Sequence, residues 1–151
     1  NNSEHNFYNY NTNQHRHISE INQELSKYST SQVKFSFNPH IMPIFRGMMS
    51  TLYCDLQQNT TTQDVNICLK NYYKKFNFVH IINNEESVDF FKVQNTNNCY
   101  IKFFHHYDNT KIIIVSLIDN LLKGASGQAV QCMNIMFNYD ESLGLDNLIG
   151  V

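Results

Sequence analysis

Between Lys111 and Ile118 every residue except Lys111 and Ser116 is apolar. A strand sends successive side chains to opposite faces, so this segment is apolar on both. Only an interior position in a sheet with both faces covered accommodates it. Cys99 to His106 precedes it as a second strand, and Tyr107-Asp108-Asn109-Thr110 between them is turn-forming, which predicts an antiparallel hairpin. Beyond it, the spacing predicts a helix from about Gly124 to Phe137 with Ala125, Ala129, Val130, Met133, Met136 and Phe137 facing inward.

The rest of the chain fits around that hairpin. Ile18, Ile21, Leu25 and Tyr28 recur at helical spacing, with Ser19 or a neighbour as the cap. Val33, Phe35 and Phe37 alternate with polar residues as a half-buried strand, ended by Pro39 and Pro43. Another strand is expected from about Met48 to Leu56, with Leu52, Cys54 and Leu56 on one face. Thr60 to Thr62 should cap a helix whose apolar stripe is Val65, Cys68, Leu69, Tyr72 and Phe76. Phe78 to Ile82 reads as a short strand, and Asn83 to Asn98 as a polar connection with some structure around Val88 to Phe91. Interleaved helices and strands with one hairpin predict an α+β fold, a mixed and largely antiparallel sheet with helices on one face. The expected organisation is a polar lead-in at 1–14, a main domain at 15–123 and a C-terminal helix and tail at 124–151.

Composition removes several classes of function. The 151 residues carry 11 basic and 13 acidic side chains, a formal net charge of −2. Nucleic acid and acidic membranes both require a basic field, so neither is an expected partner. No apolar run approaches the ~20 residues of a membrane span, and the Asn-rich start has no signal-peptide core. Cys54, Cys68, Cys99 and Cys132 form no CxxC pair and read as reduced thiols of a cytoplasmic protein. His5, His15, His17, His40, His80, His105 and His106 fit no standard zinc spacing, so no metal is expected. The glycines at 47, 124, 127, 144 and 150 assemble neither GxGxxG nor a Walker loop. No dinucleotide-binding domain is therefore expected within these residues.

Three segments concentrate polar groups beside strong structural signals. In His15-Arg16-His17 an extended backbone would point both imidazoles to one side as proton donor and anion ligand, or the segment is a solvated polar turn. Phe35 to Gly47 runs a strand into two prolines, Arg46 and Gly47; the guanidinium offers a bidentate fork to carboxylate or phosphate, or caps its own loop. Asp119 to Gln131 ends a buried strand and starts a helix with Gly, Ala and Ser. Such a start lets a ligand approach free backbone N–H groups, or lets a neighbouring element pack closely.

Taken in order, these segments resemble the N-acetyl-gamma-glutamyl-phosphate reductases, whose members carry HRHxPEI, FTPHLxPxxRG and DNLxKGAxGQAVQxMN runs. The matching residues are His15-Arg16-His17 with Glu20-Ile21, then Phe37-Asn38-Pro39-His40 through Pro43 to Arg46-Gly47. Asp119 to Gln131 follows, with Met133-Asn134, and Thr96-Asn97-Asn98-Cys99 is similar to the family's TNxC run. Ile18-Ser19 replaces the family's Thr-Pro, and Asn38 its Thr.

The resemblance implies a glyceraldehyde-3-phosphate dehydrogenase-like C-terminal domain of an NADP-dependent enzyme that reduces an acyl phosphate to an aldehyde in arginine biosynthesis. It implies His15 or His17 as acid–base catalyst, Arg16, Glu20 and Arg46 as substrate ligands, and Asn120, Lys123, Gly124 and Gln128 near the cofactor. The family's nucleophile sits in a GCxxT run that none of the four cysteines matches, so Cys99 and Cys132 read as structural. The Rossmann domain that binds most of NADP(H) is also missing from these residues. The chain is thus expected to be a homo-oligomeric portion without turnover of its own, with apolar surface exposed on its last helix. The competing expectation is an inactive fragment or dimerisation domain of the same ancestry.

Overall fold

In the computed structural model residues 6–83 and 85–145 are described. Residues 1–5 of the expected lead-in and 146–151 of the expected tail lie outside them. Chain contacts separate two compact units, Asn1–Phe45 and Arg46–Val151.

In the first unit, β1 (Tyr8–Asn9) pairs antiparallel with β2 (His40–Ile41). Asn11 and Asn13 turn the chain with positive φ, the conformation that Asn tolerates better than most side chains. Helix α1 spans His17–Ser26. The strand expected at Val33 to Phe37 has the anticipated alternation, with Val33, Phe35 and Phe37 half-buried and Lys34, Ser36 and Asn38 exposed. It forms no regular ladder, because the Asn13 side chain takes the Phe37 N–H at 2.8 Å, and Pro39 has no N–H to give.

The second unit is built on a four-stranded sheet of order β3–β6–β5–β4, comprising β3 (Met48–Asp55), β4 (Val79–Ile81), β5 (Cys99–His105) and β6 (Lys111–Ile118). β6 is interior, antiparallel to both neighbours, as its two apolar faces require; β4 joins β5 in parallel. This is the expected α+β arrangement. Val115 and Leu117 on one face of β6 pack with Val93, which is wholly buried, and with Val88 and Phe90 of the connection after β4. Phe90–Lys92 forms a 3-10 turn there. Burying each such side chain is worth roughly 1.5–3 kcal/mol. Gly47, at φ +127°, sits against Phe90: a Cβ would lie 2.2 Å from its ring.

Helix α2 (Thr62–Tyr73) packs on β4 and β5 and opens with the expected cap. Thr61 Oγ1 accepts the Asp64 N–H at 3.2 Å, and Asp64 Oδ2 accepts the Thr61 hydroxyl at 2.6 Å and the Thr61 N–H at 2.8 Å, the two bonds to the carboxylate holding it below its ordinary range. Its inward face is Thr62, Val65, Asn66, Leu69 and Tyr73; Cys68, Tyr72 and Phe76, expected on the stripe, are exposed. The last helical region begins earlier than expected. Leu122–Ser126 is a π-helical turn, closed by Gly124 N–H to Asp119 C=O at 3.0 Å and Ser126 N–H to Leu121 C=O at 3.2 Å, and α3 (Gly127–Met136) follows. Among the described residues no helix is long and apolar enough to cross a membrane.

Candidate active site

The N-terminal unit brings His15 and His17 together, with ring centroids 4.6 Å apart. They meet because the chain turns into α1, not because the segment is extended. His15 Nδ1 accepts the His17 backbone N–H at 3.2 Å and Nε2 meets Tyr10 Oη at 3.3 Å. A neutral His15 accepting at Nδ1 carries its proton on Nε2 and donates it to Tyr10. Phe37 packs on the same imidazole at 5.4 Å. His15 thereby takes over the capping role that Ile18-Ser19 cannot supply; Arg16 at the cap position makes no side-chain bond, and Ser19 Oγ donates to the Arg16 carbonyl at 2.9 Å. Among the described residues His17 has no hydrogen-bond partner for either ring nitrogen. Arg16 and Glu20 are exposed, with Glu20 in the first turn, where a carboxylate suits the helix dipole. A shallow cleft in this unit, lined by Asn13, Ile18, Asn22, Gln32, Val33, Lys34 and Phe35, includes none of the expected site residues.

In the C-terminal unit Arg46 is anchored by a carboxylate that the sequence reading left without a role. Asp119 is fully buried. Its Oδ1 accepts the N–H groups of Leu121 at 2.8 Å and Leu122 at 3.0 Å, and its Oδ2 accepts Asn95 N–H at 2.8 Å and faces Arg46 Nε at 3.2 Å. Arg46 Nη1 also donates to Asn95 Oδ1. The helix start was open to two readings, free N–H groups for a ligand or close packing of a neighbouring element; Asp119 takes the first two N–H groups, and Gly124 and Ser126 close the π turn. The anion-binding capacity of this helix start is therefore filled internally.

The four residues expected near a cofactor surround that turn. Asn120 Oδ1 accepts Gly47 N–H at 2.8 Å, tying the Arg46-Gly47 loop to the end of β6. Gly124 is exposed, and Gln128 Nε2 lies 3.4 Å from Cys132 Sγ. Lys123 Nζ donates to Gln131 Oε1 at 2.6 Å and stands 5.5 Å over the Phe78 ring; burial pushes its amine below the ordinary value. Burial likewise raises the Cys99 thiol, which faces Ser116 Oγ at 3.6 Å, and so disfavours its thiolate.

The inward face of α3 is polar, and here the hydropathy pattern misled. Gly127, Gln131 and Asn134 are buried, whereas Ala125, Ala129, Met133, Met136 and Phe137 are exposed. The buried amide nitrogens are matched, while Asn97 Oδ1 has no partner among the described residues. Asn97 Nδ2 donates to Gln131 Oε1 at 3.0 Å and Gln131 Nε2 to Glu141 Oε2 at 3.0 Å, while Asn134 Nδ2 reaches the Leu143 carbonyl at 2.9 Å. Much of the third motif thus clasps the C-terminal segment. The signal for this was a run of amides at helical spacing, indistinguishable by polarity from a solvent face.

The family model "Semialdehyde dehydrogenase, dimerisation domain" matches residues 1–120. An N-acetyl-gamma-glutamyl-phosphate reductase of Ruthia magnifica subsp. Calyptogena magnifica is 42% identical over 139 residues, covering 92% of this chain and 39% of its own length. The reductase of Thermoanaerobacter sp. (strain X514) is 43% identical over 137 residues, covering 91% and 40% respectively. The chain thus spans about two-fifths of these relatives. The solved aspartate semialdehyde dehydrogenase of Francisella tularensis superposes with a TM-score of 0.59 at 18% identity, over 79% of this chain and 34% of that one, which fixes the fold. The resemblance read from the motifs is borne out: this chain belongs to the semialdehyde dehydrogenase dimerisation-domain family, alongside the N-acetyl-gamma-glutamyl-phosphate reductases.

Proposed function

We propose that the chain supplies the substrate-binding and acid–base residues of an NADP-dependent reductase converting N-acetyl-glutamyl 5-phosphate to N-acetyl-glutamate 5-semialdehyde and phosphate, a step of arginine biosynthesis, in the cytoplasm. The observation that carries the reading is the histidine pair: one imidazole is bonded on both nitrogens, and its neighbour is bonded on neither among the described residues. His15 is the orienting member and His17 the one open to a reactant. In the implied reaction a cysteine thiolate displaces phosphate from the acyl group, and bound NADPH supplies the hydride that converts the thioester to aldehyde. His17 takes the thiol proton, lends it to the carbonyl oxygen as hydride arrives, and takes it back as the C–S bond breaks to release the aldehyde and the thiolate, help worth ~10²–10⁴-fold. Arg46 holds an anionic group of the substrate, and Arg16 and Glu20 flank the imidazoles.

The residues around the π turn fit the amide-bearing nicotinamide end of the cofactor and not its phosphates. Asp119 has taken the N–H groups a phosphate would need, while Asn120 and Gln128 offer side-chain amides beside the exposed Gly124. Lys123, bonded to Gln131, borders this surface. The exposed apolar residues Met48, Met49, Leu52 and Tyr53 on the edge strand β3 support a homo-oligomer.

The test joins this chain to the nucleotide-binding portion of a related reductase. The chimera is expected to oxidise NADPH in the presence of the acyl phosphate, while this chain alone binds NADPH weakly and turns nothing over. A folded but inactive chimera, or turnover by this chain alone, would contradict the proposal.

A further inference from the structure

We infer that Asn95 is a positioning residue that presents the Arg46 guanidinium edge-on to an anionic substrate group, a carboxylate or phosphate. The inference rests on the reading of Arg46 as the anion ligand. A guanidinium held at one point still pivots about it; an ion-pair contact at Nε together with a hydrogen bond at Nη1 restrains its plane. Asp119 Oδ2 stands 3.2 Å from Nε, and Asn95 Oδ1 accepts from Nη1. Nη2 has no partner among the described residues, and the side chain keeps 24% of its surface open.

Asn95 reaches this place through a left-handed backbone, φ 62°, which turns its own N–H onto Asp119 and its side chain onto Arg46. The loop does not need that side chain to hold its shape: Gln94 Nε2 donates to the Arg46 carbonyl at 2.8 Å, and Thr96 N–H and Oγ1 both bond the Val93 carbonyl. The residue type matters electrostatically as well. Asp119 already offsets the Arg46 charge, so a second carboxylate would leave an arriving anion a net negative pair of anchors. A neutral amide orients the cation without that cost.

The experiment titrates the 151-residue chain with inorganic phosphate while following the arginine side-chain NMR signals, which R46A assigns. In the unsubstituted chain the Arg46 signals should shift saturably, and Nη1 should rotate slowly. N95G keeps a backbone free to adopt positive φ and deletes only the acceptor. Its unfolding midpoint should stay near that of the parent chain, its phosphate dissociation constant should rise about three- to tenfold, and Nη1 should become motionally averaged. N95D should keep Nη1 slow yet still weaken phosphate binding. Phosphate binding by N95G at parental strength with Nη1 still slow, or by N95D at undiminished strength, overturns the role of Asn95. Failure of phosphate to move any Arg46 signal in the parent chain instead overturns the anion-ligand reading beneath it.

Discussion

Adding one methyl group at Gly127 tests the packing of the polar clasp. A Cβ there would lie 2.4 Å from Asn97 Oδ1 and 3.1 Å from the Leu122 carbonyl oxygen. Asn97 is 1% exposed, so it cannot swing into solvent. Overpacking of this kind costs about 1–3 kcal/mol. Displacing Asn97 also forfeits its bond to Gln131, about 1 kcal/mol. Alanine recovers about 1 kcal/mol of helix propensity over glycine. The net for Gly127→Ala is a loss of about 2 kcal/mol, a fall in Tm of about 4–8 °C for a chain of this size. Urea unfolding and calorimetry read it directly. The decisive comparison is the same substitution in an Asn97→Ala background, where the obstructing amide is gone and only the milder contact with the Leu122 carbonyl at 3.1 Å opposes the propensity term. There Gly127→Ala should be neutral or stabilising by up to about 1 kcal/mol. An equal cost in both backgrounds, or a stable Gly127→Ala in the parent chain, would refute the close approach of Asn97 to α3.

Three further outcomes follow from the same structure. Asp119→Ala strips the acceptor from three backbone N–H groups and leaves the Arg46 cation unpaired, which should cost about 3–5 kcal/mol in urea unfolding. Thr61→Ala should cost about 1 kcal/mol and return the Asp64 carboxyl toward its ordinary value, readable in a carbon-detected NMR titration. In the β5–β6 turn, the Thr110 backbone N–H and the His106 side chain lower the Asp108 carboxyl to about 2. Because that value lies below the unfolded one, the stabilising contribution is complete above the ordinary value of 3.8 and is lost as pH falls from there through about 2. An Asp108 midpoint near 3.8 in the folded chain would contradict the turn geometry.

Within the sheet and at the start of α2, the sequence was a good guide. The two apolar faces of Lys111–Ile118 placed that strand inside the sheet, the turn residues Tyr107 to Thr110 gave the hairpin, and the threonines at 60 to 62 gave the cap of α2. Polarity failed as a proxy for exposure at α3, where Gln131 and Asn134 are buried because each amide finds a partner, and Met133, Met136 and Phe137 stay exposed. It also failed at Asp119. The sequence supplies the carboxylate, but only the fold shows that it fills the helix start that small residues seemed to leave open to a ligand. The histidines were recognisable as a pair. Their division into a bonded and an unbonded imidazole depends on Tyr10 and on the turn into α1, which spacing alone cannot encode.

The division of labour between the two imidazoles is tested most directly by steady-state rates of the chimeric reductase carrying His17→Asn or His15→Asn. His17→Asn is expected to lower kcat by ~10²–10⁴-fold with KM little changed. His15→Asn should lower it less and loosen the start of α1. Rates within about threefold of the parent for His17→Asn would contradict the account.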